Sequence, residues 1–230
     1  MLAEIKGKRL LTIFVLFIAA VGFFNAFRFG GASARYYAAE VMIESWQSNA
    51  HIQTKYEYKR AKAAVFSANV LHGSNTSYIN LAGQIEEWGF LSGFDKKASL
   101  ENAKINYLQA TKVRPLWPVT WANLARVKWR LKEYDEEMLR YLNLANELGP
   151  YSVEVHMLFT RLGLSLYNAK HPMYEDIKDI VHERIRLGLR NRDSKTSIVT
   201  FIETADSLVG VCQWITIKDV DTAVEHLNCA

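Results

Sequence analysis

Small side chains recur at helical spacing in this chain, and the recurrence has a period. Ala103, Tyr107 and Ala110 lie four and three residues apart, placing one bulky and two small residues on a single helix face, and Pro115 then ends the helix. Leu142, Ala145 and Pro150 restate the theme, so that the two prolines stand 35 residues apart. A strand would put every second residue on one face; this spacing instead predicts an all-α chain of paired antiparallel helices, with no strands between Ser77 and Leu189. Stop signals divide it. Helices are expected over Ser77–Phe90, from about Ser99 to Pro115, and over Val119–Leu131, Glu136–Leu148, Val153–Asn168 and Tyr174–Leu189. Thr196–Trp214 and Val220–Leu227 follow as C-terminal helices, the last with Asp219 as its N-cap.

The period is close to the 34 residues of a tetratricopeptide (TPR) unit, and Trp121, Leu124 and Ala125 fit positions 4, 7 and 8 of that unit's first helix. The stretch from Ala98 to Pro150 therefore resembles a TPR repeat. The resemblance implies a binding surface or scaffold. Trp88 and Phe94 stand near the aromatic positions of a preceding first helix. Leu162-Gly163 marks a third unit, whose second helix, Tyr174–Leu189, is expected to lack the small residues of a full repeat and to act as a cap.

Ahead of the repeats, Leu10 to Phe27 is apolar apart from Thr12 and Asn25. These 18 residues span roughly 27 Å as a helix, enough for a hydrocarbon core. Lys6, Lys8 and Arg9 precede the run and favour a cytoplasmic N-terminus; Arg28 and Arg35 behind it weaken the asymmetry. Ala32-Ser33-Ala34 has the form of a signal-peptidase site, so a removed signal peptide is the competing reading. The length of the run and Arg28 favour a retained anchor; under either reading the remainder lies outside the cytoplasm. The expected organisation is an anchor over 1–32, a long connecting helix over 33–76 that holds the domain off the bilayer, TPR-like repeats over 77–189 and capping helices over 190–230.

The net charge of +4 is partly due to the N-terminal basic residues, and no broad electropositive field of a nucleic-acid binder is implied. None of the six histidines pairs with another ligand type at metal spacing, and His182-Glu183 lacks the second histidine of a zincin helix. No phosphate loop or nucleophile elbow is present in the sequence. The expectation is therefore a non-enzyme with no catalytic, cofactor-binding or metal-ligating residues. Two features suit binding. Trp117 and Trp121, four apart at a turn, either stack on sugar rings or, at Trp121, pack in a repeat core. Arg184, Arg186, Arg190 and Arg192 crowd one helix end, where they either take carboxylates and phosphates or satisfy the helix dipole. Trp88, Asn106 and Asn123 are the expected partner-facing residues of the concave face. Cys212 and Cys229 either form one disulfide closing a loop of 17 residues, worth on the order of 3 kcal/mol, or remain thiols.

A short basic N-terminus, one anchor and a helical domain bearing SLENAKINYLQATKVRPLWPVTWANLARVKWRLKEYDE look like the VpsP family of bacterial polysaccharide-biosynthesis proteins. The resemblance implies an accessory role in exopolysaccharide synthesis or export for the biofilm matrix, through protein partners at the inner membrane with the C-terminal domain periplasmic. An acidic polysaccharide is the alternative ligand, and an accessory factor of another envelope complex, such as a translocon or pilus, the alternative role.

Overall fold

The computed structural model describes residues 2–229; side chains are described from Leu10 onward except at Lys96, Thr216, Ile217, Lys218, Val220 and Val224, so the charges of Lys6, Lys8 and Arg9 lie outside them. Among the described residues all regular structure is helical: α1 (Leu2–Asn49), α2 (Lys55–Leu71), α3 (Thr76–Leu91), α4 (Lys96–Val113), α5 (Pro118–Leu131), α6 (Glu136–Leu148), α7 (Val153–Asn168), α8 (Met173–Arg190), α9 (Lys195–Thr204), α10 (Leu208–Lys218) and α11 (Val220–Leu227). They form two compact units, Met1–Asn106 and Tyr107–Ala230.

The first unit is built on α1, a single helix of 48 residues with two different surroundings along its length. From Leu10 to Phe27 its apolar side chains are exposed, and Leu10–Asn49 is long and apolar enough to cross a membrane. From Ala32 onward the same helix buries Ala32, Ala39, Ile43 and Trp46. Asn25, a polar residue near the end of the apolar run, donates to Val21 O at 2.9 Å, so that donor is satisfied within the helix.

The single connecting helix expected over 33–76 is instead a hairpin. The chain leaves α1 through Ala50, whose φ is 58°, and re-enters helix at Thr54, whose side chain accepts from Glu57 N at 3.2 Å. α2 then runs back along α1, with Tyr58, Ala61, Val65 and Ala68 buried. The doubling back brings the end of α2 down to the start of the buried part of α1, so this segment does not hold the unit away from the apolar run. Ser33 and Tyr78 share a hydrogen bond of 2.9 Å, and Tyr36 stacks on Tyr78 with ring centroids 4.8 Å apart, which brings α3 to the same level.

The second unit holds two successive hairpins, α5–α6 and α7–α8, whose first helices begin at Pro118 and Val153, 35 residues on. Pro118 stands in the first turn of α5, where a missing N–H is harmless, and Asp135 caps α6 by accepting from Met138 N at 3.0 Å. Ala122, Ala125 and Ala145 are buried with Leu124, Tyr141 and Leu142, as the spacing requires. These are TPR-like hairpins. The expectation that α8 lacks a small residue is corrected by Gly188, where an added Cβ would lie 3.0 Å from His156 Cβ and would collide with Ile198. Gly163 does the same for the α7–α8 pair, since a Cβ there would run into Val181. Close helix approach therefore continues through the third unit.

The C-terminal helix expected over Thr196–Trp214 is two helices. Asp206 has φ 50°, Asn168 Nδ2 donates to Ala205 O at 3.0 Å, and Ser207 Oγ takes a second bond from the same amide. The break is held by α7, far away in sequence. Asp219 caps α11 as expected, accepting from Thr222 N at 3.1 Å. Cys212 and Cys229 are joined by a disulfide with a Cα–Cα distance of 5.6 Å, tying α10 to the end of α11.

Candidate functional site

The residues singled out from sequence fall into three places. Trp88, on α3, is half-buried with its ring edge-on to Trp46 at 6.3 Å, and Asn106, on α4, donates to its own helix at Asn102 O. Asn123, on α5, is 2% exposed, so it does not face a partner; small neighbours at Ala122 and Ala125 turn that helix face inward.

Trp117 sits at the N-cap position of α5 with the Arg114 guanidinium 3.6 Å above its ring, so one face of the ring is covered by a cation. Trp121 Nε1 donates to Pro115 O at 2.7 Å, and its ring lies 5.8 Å from that of Tyr141. It ties α5 to α6 and to the loop before it.

The arginine cluster is divided by its environment. Arg184 is buried, donating from Nε to Asn146 Oδ1 and from Nη1 to Pro150 O, both at 2.6 Å, which latches α8 to the end of α6. Burial pulls its pKa below the ordinary range, with Glu183 opposing. Arg186 forks onto Glu183 and reaches Asp219 at 3.1 Å, while Arg190 meets Asp219 and Thr222. The Asp219 N-cap is thus the clamp that fastens α11 to α8. Three of the four arginines hold the unit together; Arg192 is exposed beyond the helix end.

Two polar groupings were not anticipated from the sequence. In the first, Lys128 Nζ lies 2.8, 2.6 and 2.9 Å from carboxylates of Glu133, Asp135 and Glu137, although its side chain is only 2% exposed. These three carboxylate oxygens lie within 4.8 Å of one another, close enough for a divalent cation, but the ammonium occupies that position. Burial works against the charge on Lys128, yet its hydrogen bonds to Asp135, Glu133 and Glu137 outweigh this and raise its pKa. Asp135 also loses by burial, and the Lys128 hydrogen bond with the Met138 N–H brings its pKa below the usual carboxylate range.

The second grouping is basic. Arg161 on α7 has its pKa lowered by burial and then by the charges of Arg126 and Arg130 on α5. Adjacent first helices of successive hairpins therefore bring three guanidinium groups into one field, and Arg161 lies 5.8 Å from the Phe201 ring. Arg126 and Arg130 are i and i+4 on one helix, which was readable; that Arg161 joins them depends on how α7 packs beside α5. Behind this face His156 is 1% exposed, and burial together with the Arg184 charge pushes its pKa down to about 4.

No family model and no curated protein matches this chain. Among solved structures, the crystal structure of YrrB, described as a TPR protein with an unusual peptide-binding site, superposes with a TM-score of 0.42 at 17% identity, over 81% of this chain and 97% of YrrB. At that level of likeness, the TPR-like character of this chain stands on its own paired helices.

Proposed function

We propose that this protein is a non-catalytic, single-pass membrane-anchored scaffold for bacterial exopolysaccharide synthesis or export, whose C-terminal unit docks a protein partner through the Arg126, Arg130 and Arg161 face. The observation that carries the reading is the continuity of α1: one unbroken helix leads from an exposed apolar run into the buried core of a helical unit. Cleavage at Ala32-Ser33-Ala34 would cut through the middle of that helix, discarding the fully buried Ala32 and the hydrogen bond from Ser33 to Tyr78. A retained anchor fits this arrangement better than a signal peptide. The Cys212–Cys229 bridge supports placing the folded units on the oxidising side of the membrane. That agrees with basic residues ahead of the span.

The pathway itself rests on the resemblance of the segment around Ser99 to Glu136 to the VpsP family. Docking rests on chemistry. Guanidinium groups gathered on one face concentrate positive field there, and their planar forks suit a partner's carboxylates. Arg184, Arg186 and Arg190 are already engaged inside the unit, so of the cations the carbohydrate-guiding alternative calls on, Arg192 alone stands outside these contacts.

The test is a deletion strain complemented with the wild-type gene or with Arg126→Glu and Arg161→Glu together. Loss of surface polysaccharide in the deletion, restored by wild type and not by the double variant at equal protein level, is the expected outcome. Unchanged polysaccharide with failing protein secretion or pilus assembly would replace the proposal with a role in another envelope complex.

A further inference from the structure

The lower end of the first unit is defined by what meets α1 just past its apolar run. Phe27 is the last residue of that run and is 77% exposed. Two residues on, about 3 Å along the axis, the Phe29 ring packs on the His72 ring with centroids 4.4 Å apart. His72 follows directly on α2 and leads the turn into α3, so the whole α2–α3 corner is at the level of Phe29. The level is confirmed at a second point, since a Cβ on Gly31 would be 3.7 Å from Leu71 Cδ1. Around this ring of contact stand the Arg28 guanidinium, 4.9 Å from the Phe29 centroid, and the ring of Tyr78, edge-on to His72 at 5.8 Å. Aromatic and basic side chains grouped at the end of an apolar span are what the headgroup layer of a bilayer favours.

We propose that the α2–α3 corner, His72 to Asn75, rests in the lipid headgroup layer, so that the unit sits directly on the membrane surface. The inference depends on the span reading of Leu10–Phe27, and adds to it a second, non-spanning contact with the same bilayer. Its basis is metric. If the run fills the hydrocarbon, the headgroup layer occupies roughly the next 5–8 Å on that side. A rigid helix places Phe29 about 3 Å and Gly31 about 6 Å past Phe27, within that depth, and the corner is packed against those residues. The occupant of this end is lipid because no linker intervenes: α1 has no break between the span and the contacts.

The experiment uses the full chain in phospholipid nanodiscs, with single nitroxide labels at Ile18→Cys, Ser74→Cys and Asn49→Cys, and the native disulfide left oxidised. Collision rates with oxygen and with a water-soluble nickel chelate report depth. Ile18 is expected in hydrocarbon, and Asn49, about 30 Å further along the helix than Phe29, in water. Ser74 should fall between, with nickel collisions several-fold below those at Asn49. Should Ser74→Cys perturb the turn, the exposed Ser77→Cys gives the same reading one helical turn away. Ile18 in hydrocarbon with Ser74 and Ser77 as wet as Asn49 overturns the surface contact and leaves the anchor standing. Ile18 in water overturns both.

Discussion

Each unit builds a polar network around a buried charge, Glu86 in the first and Lys128 in the second, and the two solve the problem from opposite ends. In the first unit that charge is an acid, Glu86 on α3, 5% exposed, and its partners come from two other helices: Tyr58 donates at 2.9 Å and Lys62 pairs at 2.7 Å from α2, and Ser99 donates at 3.2 Å from α4. In the second unit the buried charge is a base, Lys128, and all three of its carboxylates lie within nine residues of it in the α5–α6 turn. The first network knits separate helices together; the second staples one hairpin. A buried charge with local partners forms as soon as its own hairpin forms, whereas Glu86 is satisfied only when three helices are already in place.

Breaking the local staple should have the largest effect. Lys128→Met leaves three clustered carboxylates without their cation, and a loss of about 3–5 kcal/mol in unfolding free energy is expected from denaturant titration. If the loss is under about 1 kcal/mol, the carboxylates have found water or another cation, and the staple is not what holds this hairpin.

His156 supplies a titration to set beside the two networks, because it is a buried base with no carboxylate partner. Its folded pKa of about 4 lies below the ordinary value near 6.5. The unfolded chain therefore binds the proton first on acidification. Stability should be full above about pH 6.5 and should fall by about 3 kcal/mol as the pH is lowered toward 4, levelling off below that. His156→Asn should flatten this limb of the stability-against-pH curve; an unchanged limb would assign it to other groups.

Smaller still is Glu86→Leu. It removes the shared acceptor of Tyr58 and Ser99 and should cost about 2–3 kcal/mol by leaving the two buried hydroxyls only each other, at 3.3 Å. The nearby Tyr58→Phe then becomes less harmful in the Leu background than in wild type, a non-additivity that a double-mutant cycle reads directly. Additive effects would mean that the three helices do not share this network. Lys62→Met should matter least, under about 1 kcal/mol, because its side chain is 42% exposed and water screens the pair. That contrast with Lys128 is the sharpest check that burial, and not ion-pair geometry, sets the cost.

Several elements were legible in the sequence for local reasons. The α5–α6 and α7–α8 boundaries are read from Pro118, the Asp135 cap, Gly149-Pro150 and His171-Pro172, each of which acts on its own turn of backbone. The Thr54-x-x-Glu57 cap was equally local, and it would have revealed the break between α1 and α2; the helical pattern on either side of it concealed the signal. The other departures had no local signal. Ala205–Ser207 breaks a helix because Asn168 reaches it, and Asn123 is buried because α5 is packed on more than one side.

Sequence alone determined the helical class, the apolar run and the 35-residue recurrence of small side chains, because each is a pattern of size and polarity along one chain. Tertiary structure decided which charges are spent. Arg184, Arg186 and Arg190 became latches, and Arg161 joined Arg126 and Arg130, because a guanidinium's role is set by the groups within a few ångströms of it, and those come from other helices.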